Sequence, residues 1–291
     1  MTPKYSESKQ EFYTGECSVK YSDTPQSPKF NMHVHDAYEL TLILSDDVEL
    51  FVNNTSYPVP RGSLLLFNTM DSHRIKYNGD KSYQRFVLWF KQDFLSEFDN
   101  LSYKLLRCFF LKNFEKSNML CLSEEQLSET VNYYNLLRKL KFSKAFMANE
   151  RFKLALAQFL IFINDLYFTK NSSNIPVHHD DYVCVYKSIL YIQESFANDI
   201  SRKTLSALTG VNERTLCDYF KNVTGFTTNQ YILNFRLSAA KNLLLKGIQT
   251  AAVSEQTGFD NYSNFSRTFK KHVGVSPKQY AMQFSNPNRT T

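Results

Sequence analysis

Apolar and polar residues alternate in two rhythms along this chain, and the rhythm changes near residue 92. Before that point Glu39–Ser45, Val48–Asn53, Gly62–Phe67 and Arg85–Phe90 are short and rich in Val, Leu, Ile and Phe. Such segments predict strands, with Asn53-Asn54 marking a turn between two of them. Residues 12–90 as a whole read as closely spaced short strands, which suggests a small barrel or sandwich. From Gln92 to Thr169 the apolar positions recur at helical spacing. One predicted helix, Ser123–Leu140, opens on the capping box Ser123-x-x-Gln126 and carries Leu127, Val131, Tyr134, Leu137 and Leu140 on one side. Another, Arg151–Phe168, carries Leu154, Leu156, Phe159, Leu160, Ile163 and Leu166. Both stripes suit packing between helices. Residues 170–181 are polar and interrupted by Pro176, as a linker is, and His178-His179 with the two Asp that follow reads as solvated. Tyr182–Ala197 then opens a last helical region, with Val185, Ile189, Ile192 and Phe196 facing inward.

Within that last region one pattern occurs twice. Leu216, Phe220, Lys221, Gly225, Thr227 and Tyr231 return as Phe265, Phe269, Lys270, Gly274, Ser276 and Tyr280, each displaced by 49 residues. A repeat of this period marks one supersecondary unit used twice. The two apolar residues of each copy are four apart, so they share a buried helix face. The residues between them (Cys217, Asp218 and Tyr219, then Ser266, Arg267 and Thr268) face elsewhere. Gly225 and Gly274 stand where a left-handed C-cap wants glycine. Upstream come Thr204–Thr209 with Gly210 and Asn212, then Ala251–Thr257 with Gly258 and Asp260, each a short helix, a glycine turn and an N-cap candidate. This is the helix-turn-helix pattern, whose second helix enters the major groove of DNA. Thr228–Leu245 joins the copies as one helix, with Tyr231, Ile232, Phe235, Ala239, Leu243 and Leu244 on its apolar face and Arg236, Lys241 and Lys246 outside it. Its 18 residues make a rod of about 27 Å. That could hold two reading helices about one DNA turn, roughly 34 Å, apart.

Charge sharpens the division. Residues 182–291 hold 13 Lys/Arg against 6 Asp/Glu, whereas residues 1–181 hold 21 against 22. A basic last third beside a near-neutral remainder suits a polyanion-binding domain attached to a module with another task. No unbroken apolar run reaches the roughly 18 residues of a membrane span, and Met1–Glu11 is too polar for a signal peptide. The five cysteines are scattered without a CxxC, which suits free thiols in the cytoplasm.

Residues 182–284 resemble the DNA-binding domain of the AraC/XylS family of transcription regulators. The resemblance rests on Gly258-Phe259-Asp260, Phe265-Ser266-Arg267, Phe269-Lys270-Lys271 and Gly274-Val275-Ser276-Pro277, closed by Tyr280. Phe235-Arg236-Leu237 with Ala240 and Leu243-Leu244-Leu245 also fits. Two positions depart from the family pattern: Asp218 stands where Arg is common, and Val253-Ser254 where Ile-Ala is usual. The resemblance implies a non-enzymatic, cytoplasmic regulator that binds double-stranded promoter DNA, as an activator more often than a repressor. A homodimer paired through the middle helices, a small-molecule effector and RNA polymerase as a candidate partner follow from it too. The expected base readers are Arg214, Cys217 and Asp218 in the first module and Tyr262, Ser263, Asn264 and Arg267 in the second. Lys221, Lys270 and Lys271 are the expected phosphate contacts. Asp218 either accepts from cytosine or pairs with Arg214 four residues back; the ion pair is the preferred reading.

The front half carries its own motif. His33-x-His35-x-x-x-Glu39, Pro60-x-Gly62 and His73 are similar to the two cupin motifs, and regulators of this family often place a cupin-like sensory domain here. Three His and a carboxylate suit a divalent transition metal, as in a cupin metalloenzyme. The same four residues suit the lining of an effector pocket better, which is the preferred reading, with no metal or cofactor expected. The expected fold is therefore α+β in two domains. A cupin-like β-barrel (1–90) is followed by a helical packing and dimerisation segment (91–169) and a linker (170–181). An all-α domain of two helix-turn-helix modules joined by a long helix (182–291) completes the chain.

Overall fold

Strands that read as continuous apolar runs belong to a sheet buried on both faces. The computed structural model describes residues 17–25, 37–52, 55–110, 116–171 and 179–284. Among them, the larger sheet is antiparallel in the order β1 (Cys17–Thr24), β7 (Tyr83–Phe90), β2 (Tyr38–Ile43), β5 (Ser63–Phe67), β8 (Met119–Cys121). A smaller antiparallel sheet orders β4 (Thr55–Val59), β3 (Val48–Val52), β6 (His73–Tyr77). Alternate side chains of a strand point to opposite faces. On β5, Leu65 and Phe67 turn toward the smaller sheet and meet Leu50, Val52, Tyr57 and Val59, whereas Leu64 and Leu66 turn toward the helices. The strands β1, β4, β6 and β8 were not individually legible: β8 has three residues, and β1 (CSVKYSDT), β4 (TSYPV) and β6 (HRIKY) mix polar with apolar residues.

The helices cover the outer face of the large sheet. A 3-10 segment (Gln92–Phe98) leads into α1 (Asp99–Leu105) and α2 (Arg107–Phe110), followed after β8 by α3 (Glu124–Lys141) and α4 (Ala148–Lys170). The expected capping box opens α3: Ser123 Oγ accepts from the Gln126 N–H at 3.2 Å, and Gln126 Oε1 accepts from the Ser123 N–H at 3.0 Å. Tyr134 of α3 is fully buried and donates its hydroxyl to the Leu40 carbonyl at 2.8 Å, stitching the helix to β2. By length and composition α4 could cross a bilayer. Its apolar side chains have another use, since Phe152, Leu156, Phe159, Leu160, Ile163 and Tyr167 fill the core. Leu154, expected in that packing stripe, is instead 58% exposed.

The chain ends in α5 (His179–Ser195), α6 (Arg202–Thr209), α7 (Glu213–Thr224), α8 (Thr228–Leu245), α9 (Thr250–Gln256), α10 (Tyr262–Val273) and α11 (Pro277–Phe284). The core of the first module is continuous with that of the β-domain. Tyr182, Val185, Ile189 and Ile192 of α5 carry it from Phe109 and Phe110 to Leu205, Leu216, Phe220 and Tyr231. The second module has a separate core of Leu237, Leu244, Val253, Phe265, Phe269 and Tyr280. It joins the rest of the chain through α8 and through Gly258, which lies against the backbone of Phe196 and Ala197.

Asn164 is the buried polar hinge of the helical layer. Its Oδ1 accepts from the Cys108 N–H at 3.1 Å, and its Nδ2 donates to the carbonyls of Leu105 at 2.8 Å and Leu160 at 2.7 Å. Leucine here would leave buried backbone groups unpaired at the junction of α1, α2 and α4. Asn164→Leu is therefore expected to destabilise by about 2–3 kcal/mol, read as a lower urea midpoint with unchanged slope.

Candidate nucleic-acid interface and sensory chamber

Each copy of the repeat folds into the same capped helix. On α7, Asn212 Oδ1 accepts from the Thr215 N–H at 2.9 Å, and Gly225 at φ 77° closes the far end with its N–H on the Lys221 carbonyl. On α10, Asn261 Oδ1 accepts from the Asn264 N–H at 2.8 Å, and Gly274 at φ 89° bonds the Lys270 carbonyl. Asp260 was expected to be the second N-cap, but the cap lies one residue later at Asn261. An amide oxygen caps as well as a carboxylate, so the pattern alone did not separate them. Leu216, Phe220, Phe265 and Phe269 are fully buried. The rings of Phe220 and Tyr231 meet edge to face at 5.6 Å, and those of Phe269 and Tyr280 do so at 5.5 Å. The repeat also extends further than its apolar pattern. Thr227 with Gln230 and Ser276 with Gln279 form matching capping bonds at the starts of α8 and α11.

The other side of each helix faces outward. Arg214, Asp218 and Lys221 on α7 are exposed, as are Tyr262, Ser263, Arg267, Lys270 and Lys271 on α10. Cys217 and Asn264 sit half-buried at the edge of the stripe. The thiol of Cys217 lies 3.7 Å from Thr228 Oγ1, and the side-chain oxygen of Asn264 accepts from Thr268 Oγ1 at 3.3 Å. Among the described residues no ion pair joins Arg214 to Asp218, contrary to the preferred reading. The charged neighbours at this end are Arg202 and Glu213, 3.9 Å apart. An exposed pair four residues apart gains only a few tenths of a kcal/mol, about what ordering two long side chains costs. Among the described residues Asp218 therefore has no ion-pair partner on the stripe.

Between the two sheets the β-domain encloses polar groups. Glu39 and Thr41 alternate with the helix-facing Leu40 and Leu42, so they face the smaller sheet; Thr41 Oγ1 donates to Glu39 Oε1 at 2.7 Å. His73, on β6, stacks flat on the Phe67 ring with centroids 3.7 Å apart. Its Nε2 lies 3.9 Å from Glu39 Oε2, and its Nδ1 lies 2.9 Å from the Asp71 carbonyl. The structure thus brings Glu39 and His73 together; His33 and His35 lie outside the described residues. Three further residues join them that the motif did not indicate. Arg85 lies over the Tyr83 ring at 4.3 Å, and burial lowers its guanidinium pKa against the opposing pull of Tyr83 and Glu39. Burial likewise raises the phenols of Tyr57 and Tyr83, and among the described residues neither hydroxyl meets a hydrogen-bond partner. Polar residues at alternate positions of an apolar strand were the signal that could have found them.

Comparison with known proteins addresses the two halves separately. A helix-turn-helix domain model matches residues 205–283, and a model described as an AraC-like ligand binding domain matches residues 18–139. The chain belongs to the AraC family. An uncharacterized HTH-type transcriptional regulator from Pseudoalteromonas carrageenovora is 36% identical to it over 102 residues, 35% of this chain and 61% of that relative. The Escherichia coli HTH-type transcriptional activator RhaR is 22% identical over 270 residues, 92% of this chain and 93% of its own. Among solved structures, ToxT from Vibrio cholerae superposes with a TM-score of 0.55 at 17% identity, covering 94% of this chain and 100% of that one. It shares the fold.

As an AraC-family chain, this one departs from the common pattern at Ser254. That residue is buried and, among the described residues, its hydroxyl has no partner. The cap at Asn261 carries more of the geometry, because it sets where α10 begins and therefore which residues its first turn presents. Asn261→Ala is expected to cost about 1 kcal/mol, measured by thermal unfolding, and Asn261→Asp to cost little.

Proposed function

We propose that this chain is a cytoplasmic transcription regulator whose α7 and α10 enter successive major grooves of promoter DNA. The observation that carries this reading is one capped helix made twice, each with a sealed apolar side and an outward polar stripe: Arg214, Asp218 and Lys221 on α7, and Tyr262, Ser263, Arg267, Lys270 and Lys271 on α10. Arg214 and Arg267 have the fork geometry that guanine accepts. Asn264 suits adenine through its amide, and Tyr262, Ser263 and Cys217 complete the stripes. Asp218 accepts from cytosine N4 where one faces it. Lys221, Lys270 and Lys271 neutralise phosphates, which positions the protein without specifying sequence. Resemblance to RhaR favours activation, with RNA polymerase as the partner recruited. On a duplex selected from a random library by the full-length protein, Arg267→Ala is expected to cost about 1–3 kcal/mol and relax one base position. Lys271→Ala should weaken selected and random duplexes alike and lower the salt slope by about one. Equal loss on both duplexes for Arg267→Ala would remove its base-reading role.

The chamber of Glu39, Thr41, Tyr57, His73, Tyr83 and Arg85 supports an effector that is small and carries both hydrogen-bond donors and acceptors. Buried hydroxyls without partners are costly, and a polar ligand relieves that cost. A thermal-shift panel of sugars, carboxylates and amines tests this, with the shift expected to vanish in Tyr83→Phe. The helical layer supports pairing of two copies: Leu136, Phe142, Phe146, Met147, Leu154 and Ile161 of α3, α4 and their connection are all exposed, Phe146 at 93%. A homodimer through this face is expected to dissociate in Ile161→Glu, read by sedimentation.

A further inference from the structure

At the seam between the two reading modules, one residue of the connecting helix reaches back to the first module. Arg236, midway along α8, donates Nε to the Phe196 carbonyl and Nη2 to the Asn198 carbonyl, both at 2.8 Å. These carbonyls lie just past the C-terminal end of α5, where a cation also meets the negative end of the helix dipole. The Phe196 ring packs edge-on against Phe235, the neighbour of Arg236, at 5.2 Å. From the other module, the turn after α9 closes on Phe196 and Ala197 of the same segment. Its Gly258 stands at φ 73°, with Gly258 N–H on the Glu255 carbonyl and Phe259 N–H on that of Ser254. This is the paired bonding of a Schellman cap. A methyl group on Gly258 would sit 2.7 Å from the Ala197 oxygen and 2.8 Å from that of Phe196. Residues 196–198 of the first module are thus held by a guanidinium on one side and a bare glycine on the other. Asp199 and Asp260, one from each module, counter the loss of solvation that burial imposes on the guanidinium.

We propose that Arg236, with Gly258, is a positioning residue for DNA recognition: it locks the phase between α7 and α10, so that the protein accepts one spacing of its two base blocks. The two modules have separate cores, so apolar packing alone leaves their relative rotation to α8 and this seam. Lysine in place of Arg236 keeps the charge but cannot fork onto two carbonyls. The proposal rests on the reading that both helices contact DNA, and its test separates the two.

The test uses the full chain and a duplex that it enriches from a random-sequence library, with none, one or two base pairs inserted between the two protected blocks. Each inserted pair moves one block about 3.4 Å and turns it roughly 35° about the DNA axis. Wild type is expected to lose about tenfold or more on insertion, and Arg236→Gln and Gly258→Ala to lose about threefold or less. Arg236→Lys should fall between. The readout is the ratio of affinities for inserted and uninserted duplex within one protein, so a smaller folded fraction in a variant cancels. An insertion penalty unchanged in both Arg236→Gln and Gly258→Ala overturns the clamp while leaving two-module binding intact. Wild type that pays no insertion penalty sinks the two-module reading itself, and the clamp with it.

Discussion

The burial of α5 against the β-domain is the interaction on which the rest of the molecule depends. A helix-turn-helix module offers few apolar side chains of its own; in the first one they are chiefly Leu205, Leu216, Phe220 and Val223. Such a cluster is too small to stand alone against chain entropy. Here it is completed by Tyr182, Val185, Tyr186, Ile189 and Ile192, whose other neighbours are aromatic residues of the front half. Tyr186 meets Phe110 edge-on at 6.0 Å, and Phe110 in turn meets Tyr38 of β2 at 5.9 Å. The Arg107 guanidinium lies over the rings of Phe168 and Tyr182, tying α2, α4 and α5 together. A reading module built this way shares its stability with the β-domain.

That sharing has a second physical consequence at the turn before β6. Asn68, Asp71 and Asn118 hold one another there. The Asp71 carboxylate accepts from the Asn68 N–H at 2.9 Å and from Asn118 Nδ2 at 3.0 Å, and Asn68 Oδ1 accepts from the Met70 and Asp71 N–H groups. The Asp71 carbonyl meets the His73 ring inside the chamber, while the Thr69 carbonyl accepts from Ser238 of α8 at 2.9 Å. One rigid turn therefore touches both the chamber wall and the helix that joins the modules. A ligand can bias such a system only through a difference in its affinity for two arrangements. The turn thus joins the polar groups between the sheets to α8 through hydrogen bonds.

Legibility in the sequence followed the number of physical constraints acting on each residue. The two modules were readable because a buried pair four apart, a left-handed glycine and a capping oxygen all had to agree, twice. The larger sheet was readable in part, since burial on both faces makes β5 an almost continuous apolar run and leaves only Glu39 and Thr41 polar in β2. The smaller sheet and β8 depend on long-range pairing that leaves little local trace. Among candidate base readers the outward stripe was predictable from helical phase, but the half-burial of Cys217 and Asn264 depends on neighbours from other segments. The chamber was half-legible: the cupin-like motif pointed to Glu39 and His73, while Tyr57, Tyr83 and Arg85 come from strands whose facing is known only once the two sheets are stacked.

Arg236 shows most plainly where pattern reading stops. Helical phase put it outside the apolar face of α8 together with Lys241, and polarity agreed. Both are half-buried in the structure, and burial lowers the pKa of each. The binary pattern treats every polar residue as solvent-facing, yet a guanidinium can be buried wherever carbonyls are arranged to receive it. Such carbonyls occur at the ends of helices, where the last turn leaves acceptors without intrahelical donors. A polar residue midway along a connecting helix, opposite the predicted end of another, is therefore a candidate for that role before any coordinates exist. Gly258 obeys the same logic from the opposite side, because close approach to exposed carbonyls requires a residue without a side chain.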